Sequence, residues 1–164
     1  WCDWSSDVCS SDLIAAIAVA LGKALQPEFK EYAKQILANA KTLAQIFLDN
    51  NIKLITNGTD NHMLVVNTVE SFHLDGTAAE KILDKISITV NKQIIPDDPN
   101  PPLRPSGIRL GTPAATTRGM KEVEMQKIAH WIIEALKNHA DDSALAQIQS
   151  EVEALCSQFP VPGI

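Results

Sequence analysis

Two stretches in the first third of the chain favour helices, and apolar residues recur at three- and four-residue steps through the second of them. Residues 14–25 are rich in alanine and favour a helix, and Pro27 is typical of the first turn of a second helix. This second stretch carries an apolar stripe over residues 29–47 and is expected to end at residues 49–51. Because such a stripe must pack against another element, the pattern predicts two consecutive helices, the second of which lies on a core.

Short runs rich in β-branched residues follow and predict strands. Residues 52–56 and 62–69 form two such runs, and the polar residues 57–61 between them suit a turn. We therefore expect these runs to be neighbouring strands. Two further strands are predicted at residues 88–90 and 107–110.

Helix start signals mark the remaining helices. Thr77 with Glu80 three residues later has the pattern of a capping box, which predicts a helix beginning there. The other signals are Thr112 as N-cap with Pro113 in the first helical position, a break at Gly119, a helix starting near Lys121, and caps for a last helix at residues 141–143.

Proline sets one segment apart from these regular elements. Six of the nine prolines fall between Pro96 and Pro113, and the segment is therefore predicted to be neither a continuous helix nor a central strand. Long loops in compact domains are usually functional or disordered, and this proline content favours a held shape. We expect a stiff, functional loop that delivers the strand at residues 107–110.

The resulting order of elements, α–β–β–α–β–β–α–α, predicts the fold class. It is typical of a small α/β protein, an α+β sandwich with a mostly antiparallel sheet and helices on one face. A length of 164 residues suits one domain, and 45% hydrophobic with 21% charged residues is the composition of a globular protein. The net charge of −6 argues against a nucleic-acid or anionic-membrane partner. The longest apolar run, residues 13–21, is too short to span a bilayer, and we expect a cytoplasmic protein.

The first thirteen residues are treated apart from the fold. They lack the basic and long apolar regions of a secretory signal and resemble translated adaptor sequence, so we interpret residues 1–13 as a non-native leader and residues 14–164 as the domain. A clip or metal pair formed by Cys2 and Cys9 is the alternative. No metal site is expected elsewhere, because the histidines lack partners at metal-ligand spacing.

One charged residue stands among small and apolar neighbours. Arg109 lies on the predicted strand at residues 107–110, and its planar guanidinium matches a carboxylate with two parallel hydrogen bonds, which Lys cannot imitate. The alternative is an arginine on an edge strand that points to solvent or pairs with Asp97 or Asp98. The pattern alone leaves both interpretations open.

Several segments of the chain resemble serine hydroxymethyltransferases. Residues 106–114 read Ser-Gly-Ile-Arg-Leu-Gly-Thr-Pro-Ala and, followed by Thr-Arg-Gly, look like the substrate-carboxylate segment of that family. Three more blocks match in the family's order, namely residues 25–32, residues 57–62 with Thr-Asp-Asn-His, and the folate-side loop at residues 89–92 and 96–99. The resemblance extends from about residue 14 to residue 162.

The resemblance implies roles for individual residues. It implies that Arg109 binds the substrate carboxylate and that Gln93 stands where the family usually carries an asparagine that contacts folate. Gln93 keeps the amide on an arm one methylene longer, which changes the geometry of that contact. His62, Asn91 and Arg118 are possible supporting residues. A packing role for His62 and a helix-dipole role for Arg118 are the alternatives.

The resemblance also implies the chemistry and its cofactors. Family members use pyridoxal phosphate to interconvert serine plus tetrahydrofolate with glycine plus 5,10-methylenetetrahydrofolate, and they act as homodimers or homotetramers. The implied fold is the small C-terminal domain of a fold-type I pyridoxal-phosphate transferase, with the end of the helix that links it to a larger domain. The family's cofactor lysine lies in a Thr-His-Lys-Thr segment, and no lysine of this chain follows a histidine. We therefore expect no catalytic residue in this chain and no activity of the chain alone.

Two other functions remain open at this point. Other fold-type I pyridoxal-phosphate enzymes, such as threonine-aldolase-like or aminotransferase-like proteins, also use a C-terminal arginine for the substrate carboxylate. The folate-side loop favours the serine hydroxymethyltransferases over these enzymes. The second alternative is a binding module without catalysis.

Overall fold

A computed structural model of the chain describes residues 10–162, which fall in two units divided between Lys34 and Gln35. Cys2 and Cys9, with the clip or metal pair proposed for them, lie outside the described residues. Residues 10–13 belong to the first helix, and the assignment of residues 1–13 to a leader stays a prediction.

The first unit consists of helix α1, Ser10–Ala24, and the start of helix α2, Pro27–Asp49. Both predicted helices are confirmed, and Pro27 opens α2 as expected because the missing N–H of proline needs no partner in a first turn. The apolar side chains of α1 are exposed, among them Leu13, Ile14, Ile17, Val19 and Leu21.

The second unit contains the rest of α2 and mixes short strands with helices. In chain order the remaining elements are β1, Met63–Asn67; α3, Thr68–Phe72; α4, Gly76–Lys85; β2, Asn91–Gln93; β3, Gly107–Gly111; α5, Pro113–Thr117; α6, Glu122–Lys137; and α7, Asp142–Gln158. The predicted mixed α/β class is confirmed. The predicted beginnings of α6 and α7 are confirmed too, as is the break at Gly119, whose φ of +93° suits glycine.

The three strands form one antiparallel sheet in the order β1-β3-β2. Side chains alternate across it, so Ile108 and Leu110 of β3 are buried together with Leu64 and Val66 of β1. The opposite side, the open face, carries Arg109. The other residues of the open face by register are Met63, Val65 and Asn67 of β1, Asn91 and Gln93 of β2, and Gly107 and Gly111 of β3.

Helices cover the buried face of the sheet. The core joins the strand residues to side chains of α2, α4, α6 and α7, including Phe47, Leu83, Ile132, Leu136 and Ile148. Burying each large apolar side chain contributes about 1.5–3 kcal/mol, so this cluster is the main source of stability.

Two predicted strands are wrong. Residues 52–56 contribute only a single bridge from Leu54 to Val66, because the chain turns away at residues 55–58. Residues 88–90 form no ladder, and pairing begins one residue later with β2. Val90 is buried and residue 88 packs against the core, so their β-branched character reflects burial rather than strand pairing.

The boundaries around β1 and β3 also differ from the prediction. The chain leaves the β1 ladder after Asn67, whose side chain accepts a hydrogen bond from the Glu70 N–H at 3.0 Å and caps α3. β3 is the central strand of the sheet, although a central strand was not expected between Pro96 and Pro113. No proline falls between Pro105 and Pro113, so every N–H of β3 is available to the ladder.

The predicted capping box of α4 is also wrong. Asp75 is the N-cap, and its carboxylate accepts the Ala78 N–H at 2.8 Å. The Thr77 hydroxyl instead donates to the Leu103 carbonyl at 2.9 Å, and the Glu80 carboxylate accepts the Lys92 N–H at 3.2 Å. A better cap two residues upstream thus frees both predicted cap residues to hold other segments.

A single carboxylate organises the proline-rich loop between β2 and β3. Asp98 accepts hydrogen bonds from the N–H groups of Ile95, Asn100 and Ser106 at 3.2, 3.0 and 2.9 Å, and from the Ser106 hydroxyl at 2.6 Å. Partial burial acts to raise the pKa of Asp98, but the Ser106 hydroxyl and the three N–H groups outweigh it and lower the pKa to about 2. The loop therefore has the held shape that its prolines predict.

Buried polar side chains connect α2 to the segment that follows β3, residues 112–120, which we call the corner. Asn39 is fully buried, and its amide nitrogen donates to the Thr116 hydroxyl at 2.9 Å and the Met120 carbonyl at 3.0 Å. Gln35 donates to the Asn39 amide oxygen at 3.0 Å. Thr112 holds the predicted N-cap position of α5, but its hydroxyl donates to the Ile36 carbonyl at 3.0 Å. The corner is thus fixed by hydrogen bonds between α2 and residues 112–120.

We expect Asn39→Leu to lower the free energy of unfolding by about 1–3 kcal/mol, because it leaves the buried Met120 carbonyl without its donor. Urea unfolding of the chain measures this loss. Gln45→Leu on the exposed side of α2 is the matched control and should change the free energy by less than about 0.5 kcal/mol. Equal stability of the two variants would show that the Asn39 network does not hold the corner.

We expect the stability lost in Asp98→Asn to depend on pH. The pKa of Asp98 is lower in the folded chain than its ordinary value of 3.8, so the stabilisation is fully present above pH ~5 and is lost as the pH falls towards 2. Urea unfolding at several pH values should show a gap between the two proteins that closes on acidification. Asp97→Asn, which removes the adjacent exposed carboxylate, should show no such trend, and a constant gap for Asp98→Asn would contradict the prediction.

Candidate active site

The central strand β3 is fixed at both ends. At its beginning, the Thr68 N–H and hydroxyl both donate to the Ser106 carbonyl, at 2.9 and 3.1 Å. At its end, the Thr112 N–H donates to the His62 carbonyl at 3.0 Å, and the Thr112 hydroxyl reaches α2. Arg109 lies midway between these two attachments, and its backbone position is therefore determined from both sides.

Arg109 projects from the open face of the sheet and is exposed. Its guanidinium has no hydrogen-bond or ion-pair partner among residues 10–162. The edge-strand position in the alternative interpretation is wrong, because β1 and β2 flank β3, whereas the exposed side chain that it expected is observed. Pairing with Asp98 is also not observed, because that carboxylate binds the loop, and Asp97 forms no ion pair in the described part of the chain. The guanidinium is thus available to a ligand.

Arg109 shares a shallow cleft with two other residues that the sequence singled out. Asn91 is its direct cross-strand neighbour on β2, on the same open face. His62 precedes β1 and lines the same cleft, together with Thr89 and Gly111. The structure therefore brings Arg109, Asn91 and His62 together.

Gln93 lies next to this cleft rather than in it. It is the last residue of β2, stands opposite Gly107, and is half-buried on the open face. Two residues along a strand separate it from Asn91, roughly 6–7 Å. Its amide nitrogen donates to the Ile94 carbonyl at 3.1 Å, and its amide oxygen accepts no hydrogen bond from the described residues.

Arg118 is occupied elsewhere. Its guanidinium donates to the Phe159 carbonyl at 2.6 Å and to the Cys156 carbonyl at 2.9 Å, at the C-terminal end of α7. A cation there satisfies carbonyl groups that lack helical partners and favours the helix dipole. Sequence analysis expected a dipole role at the short helix that precedes Arg118. The helix it serves is instead about forty residues further along the chain, and no local signal indicates that pairing.

Asp98 is the residue whose role sequence analysis missed. It was considered as an ion-pair partner for Arg109 and as part of the folate-side loop, whereas the structure makes it the organiser of the loop. The one available signal was local, because an aspartate that accepts the N–H two residues ahead is typical of turns. Its bonds to Ser106 span eight residues and are not visible in the sequence pattern.

Two further features bear on the kind of site. Within residues 10–162, no three His, Cys, Asp or Glu side chains are grouped as metal ligands. Among those same residues, no helix combines the length and the apolarity needed to cross a membrane.

Comparisons with known proteins identify the family. The model of the serine hydroxymethyltransferase family matches residues 9–132. A serine hydroxymethyltransferase of Acidobacterium capsulatum is 49% identical over 151 residues, which are 92% of this chain and 35% of the relative. One of Koribacter versatilis is 46% identical over 149 residues, 91% of this chain and 35% of the relative. The chain thus spans about a third of the length of these relatives, and it belongs to the serine hydroxymethyltransferase family.

Proposed function

We propose that this chain forms the substrate-carboxylate part of a serine hydroxymethyltransferase, which interconverts serine plus tetrahydrofolate with glycine plus 5,10-methylenetetrahydrofolate. The observation that carries the proposal is the guanidinium of Arg109, which has no partner within residues 10–162 and lies on the open face of a strand fixed at both ends. The family and the names of both relatives support the reaction.

Arg109 is suited to hold an amino-acid carboxylate. A guanidinium forms two parallel hydrogen bonds with a carboxylate, and each charge-assisted bond contributes about 1.5–3 kcal/mol. The exposed guanidinium gives up no hydrogen bond to the described residues when it binds. Since the strand is fixed, the carboxylate would be held in one orientation, and the bonds of the α-carbon would be oriented with it.

The remaining polar groups of the open face divide the site into two sides. Asn91 stands opposite Arg109, and its amide can donate to or accept from the amino acid. Gln93 lies further along β2, and its longer amide arm is proposed to contact the folate. We assign position 62 a positioning role through its backbone, because the His62 carbonyl accepts the Thr112 N–H that fixes the end of β3.

The residues of the cleft do not by themselves hold pyridoxal phosphate. No lysine is among the described residues that line it. We therefore assign the cofactor-binding groups to the part of the enzyme that corresponds to the unmatched length of the relatives. When bound, pyridoxal phosphate supplies an electron sink for a breaking bond at the α-carbon. The contribution of this chain is to grip and orient the carboxylate.

A chimera provides the test. In the Acidobacterium capsulatum relative, the matching segment is replaced by residues 14–162 of this chain. We expect the chimera to bind and cleave serine, and Arg109→Ala to weaken serine and glycine binding by about 100-fold or more, because both carboxylate bonds are lost. Arg109→Lys should not restore binding, since an ammonium lacks the planar fork. Titration calorimetry measures both affinities.

Arg104→Ala is the matched control, because this arginine lies exposed in the loop between β2 and β3. It should leave both affinities unchanged. A folded chimera that contains pyridoxal phosphate but does not bind serine would overturn the proposal. Near-native serine affinity in Arg109→Ala would overturn the assignment of Arg109.

We also expect the chain on its own to form no stoichiometric adduct with pyridoxal phosphate and to cleave no serine. Absorption titration measures adduct formation, and surface lysines should give only weak binding without defined stoichiometry. A saturable one-to-one adduct with retro-aldol turnover would show that the cofactor site lies within this chain.

A further inference from the structure

We infer that Asp98 is a positioning residue that sets the spacing between the folate side and the carboxylate side of the site, by clamping the end of β2 to the beginning of β3. This inference rests on the proposed function, since it concerns the spacing between Gln93 and Arg109. It assigns a functional role to a carboxylate that accepts hydrogen bonds from Ile95, Asn100 and Ser106.

On the β2 side, the clamp holds Ile95, which lies just beyond the end of β2. The Ile95 N–H donates to Asp98 Oδ2 at 3.2 Å, only two residues after Gln93. The Ile95 side chain is buried, so this end of the clamp is anchored in the protein interior. A shift of Asp98 would therefore move the exit of β2.

On the β3 side, the clamp holds the residue that precedes the strand. The Ser106 N–H donates to the same oxygen, Oδ2, at 2.9 Å, and the Ser106 hydroxyl donates to Oδ1 at 2.6 Å. Ser106 is 1% exposed and stands three residues before Arg109. One carboxylate oxygen thus receives an N–H from each strand end.

Asn100 completes the arrangement around the second oxygen. Its N–H donates to Asp98 Oδ1 at 3.0 Å, and its side-chain amide donates to the Ser106 hydroxyl at 2.9 Å. All four groups around the Asp98 carboxylate are donors, and an ionised carboxylate is an acceptor at both oxygens. An asparagine at position 98 would instead direct its side-chain NH₂ group at one of these four donors.

The strands need this clamp because their own pairing is short. β2 pairs with β3 over three residues, and the two strands are joined by a loop of residues 94–106. The fit between them is close. A Cβ on Gly107 would lie 2.8 Å from Ile95 Cγ2 and 3.0 Å from the Gln93 carbonyl oxygen. A three-residue ladder in such close contact depends on a fixed spacing at its open end.

The experiment uses the chimera with its cofactor bound and compares Asp98→Asn with Asp84→Asn. Asp84 is exposed on α4 and lies outside the folate-side loop, so its substitution removes the same charge without touching the clamp. We expect Asp98→Asn to raise both the Kd for glycine and the KM for tetrahydrofolate by roughly tenfold, because both sides of the site lose their spacing. Asp84→Asn should leave both constants unchanged.

A stability control separates positioning from general destabilisation. Ile148→Val removes one buried methyl group from α7, which contributes no residue to the clamp. It should lower the thermal midpoint without changing either constant. If Ile148→Val weakens both ligands as much as Asp98→Asn does at equal loss of stability, the positioning role is wrong.

Hydrogen–deuterium exchange of the chain itself gives a readout that needs no cofactor or activity. In Asp98→Asn, peptides that cover residues 93–97 and 105–109 should exchange at least several-fold faster, whereas peptides of α7 should not change. Unchanged exchange would show that the clamp does not exist. Faster exchange with native glycine and folate constants would show that the clamp is structural only, which also overturns the inference.

The unsubstituted chimera tests the proposed function, and its Asp98→Asn variant tests the inference on Asp98. If the proposed function is wrong, the unsubstituted chimera does not bind serine. If only the inference on Asp98 is wrong, the unsubstituted chimera works and Asp98→Asn works equally well.

Discussion

The position of β3 is the constraint on which the rest of the second unit depends. This strand pairs with both neighbours, buries Ile108 and Leu110 in the core, and carries Arg109 on its other side. A strand of five residues has few ladder bonds with which to define its own place. Buried polar side chains beyond each end, Ser106 and Thr112, supply the missing constraints.

These polar groups favour one arrangement because each of them is satisfied. In the described part of the chain, no buried side-chain nitrogen or oxygen lacks a hydrogen-bond partner. Buried polar groups are costly when unpaired, so a shift of α2 relative to the corner would expose Asn39, Thr112 and Thr116 to that cost together. The apolar core stabilises the fold, and the polar pairs select the register in which Arg109 faces outwards.

Sequence analysis succeeded where the signal is local and failed where the partner is distant. Pro27, Gly119 and the caps at residues 141–143 act within one turn, and their helices begin or break as predicted. The Thr77 capping box failed because Asp75, two residues earlier, made the better cap. The strand predicted at residues 88–90 failed because the pattern reports burial, and burial does not require a ladder.

In the candidate site too, local signals were predicted correctly and contacts between distant residues were missed. The strand of Arg109 followed from its own residues, and the family resemblance singled out Asn91 and His62, which the fold places beside it. The hydrogen bonds of Arg118 to the end of α7 and the clamp of Asp98 on Ser106 join residues that are separated by other elements or by the loop. Such pairs depend on how the chain packs, and residue spacing carries no information about them.

Exposure of Arg109 is a weak argument for function by itself, because an unpaired surface arginine costs little. The stronger argument is its surroundings along the strand. Its neighbours on the open face of β3 are Gly107 and Gly111, so no side chain of the same strand covers the guanidinium or its backbone. Packing explains Gly107, where a Cβ would lie 2.8 Å from Ile95. It does not explain Gly111, where a Cβ would meet nothing nearer than 3.7 Å. The fold would accept a Cβ at position 111, and a side chain there would stand beside Arg109 on the same face of β3.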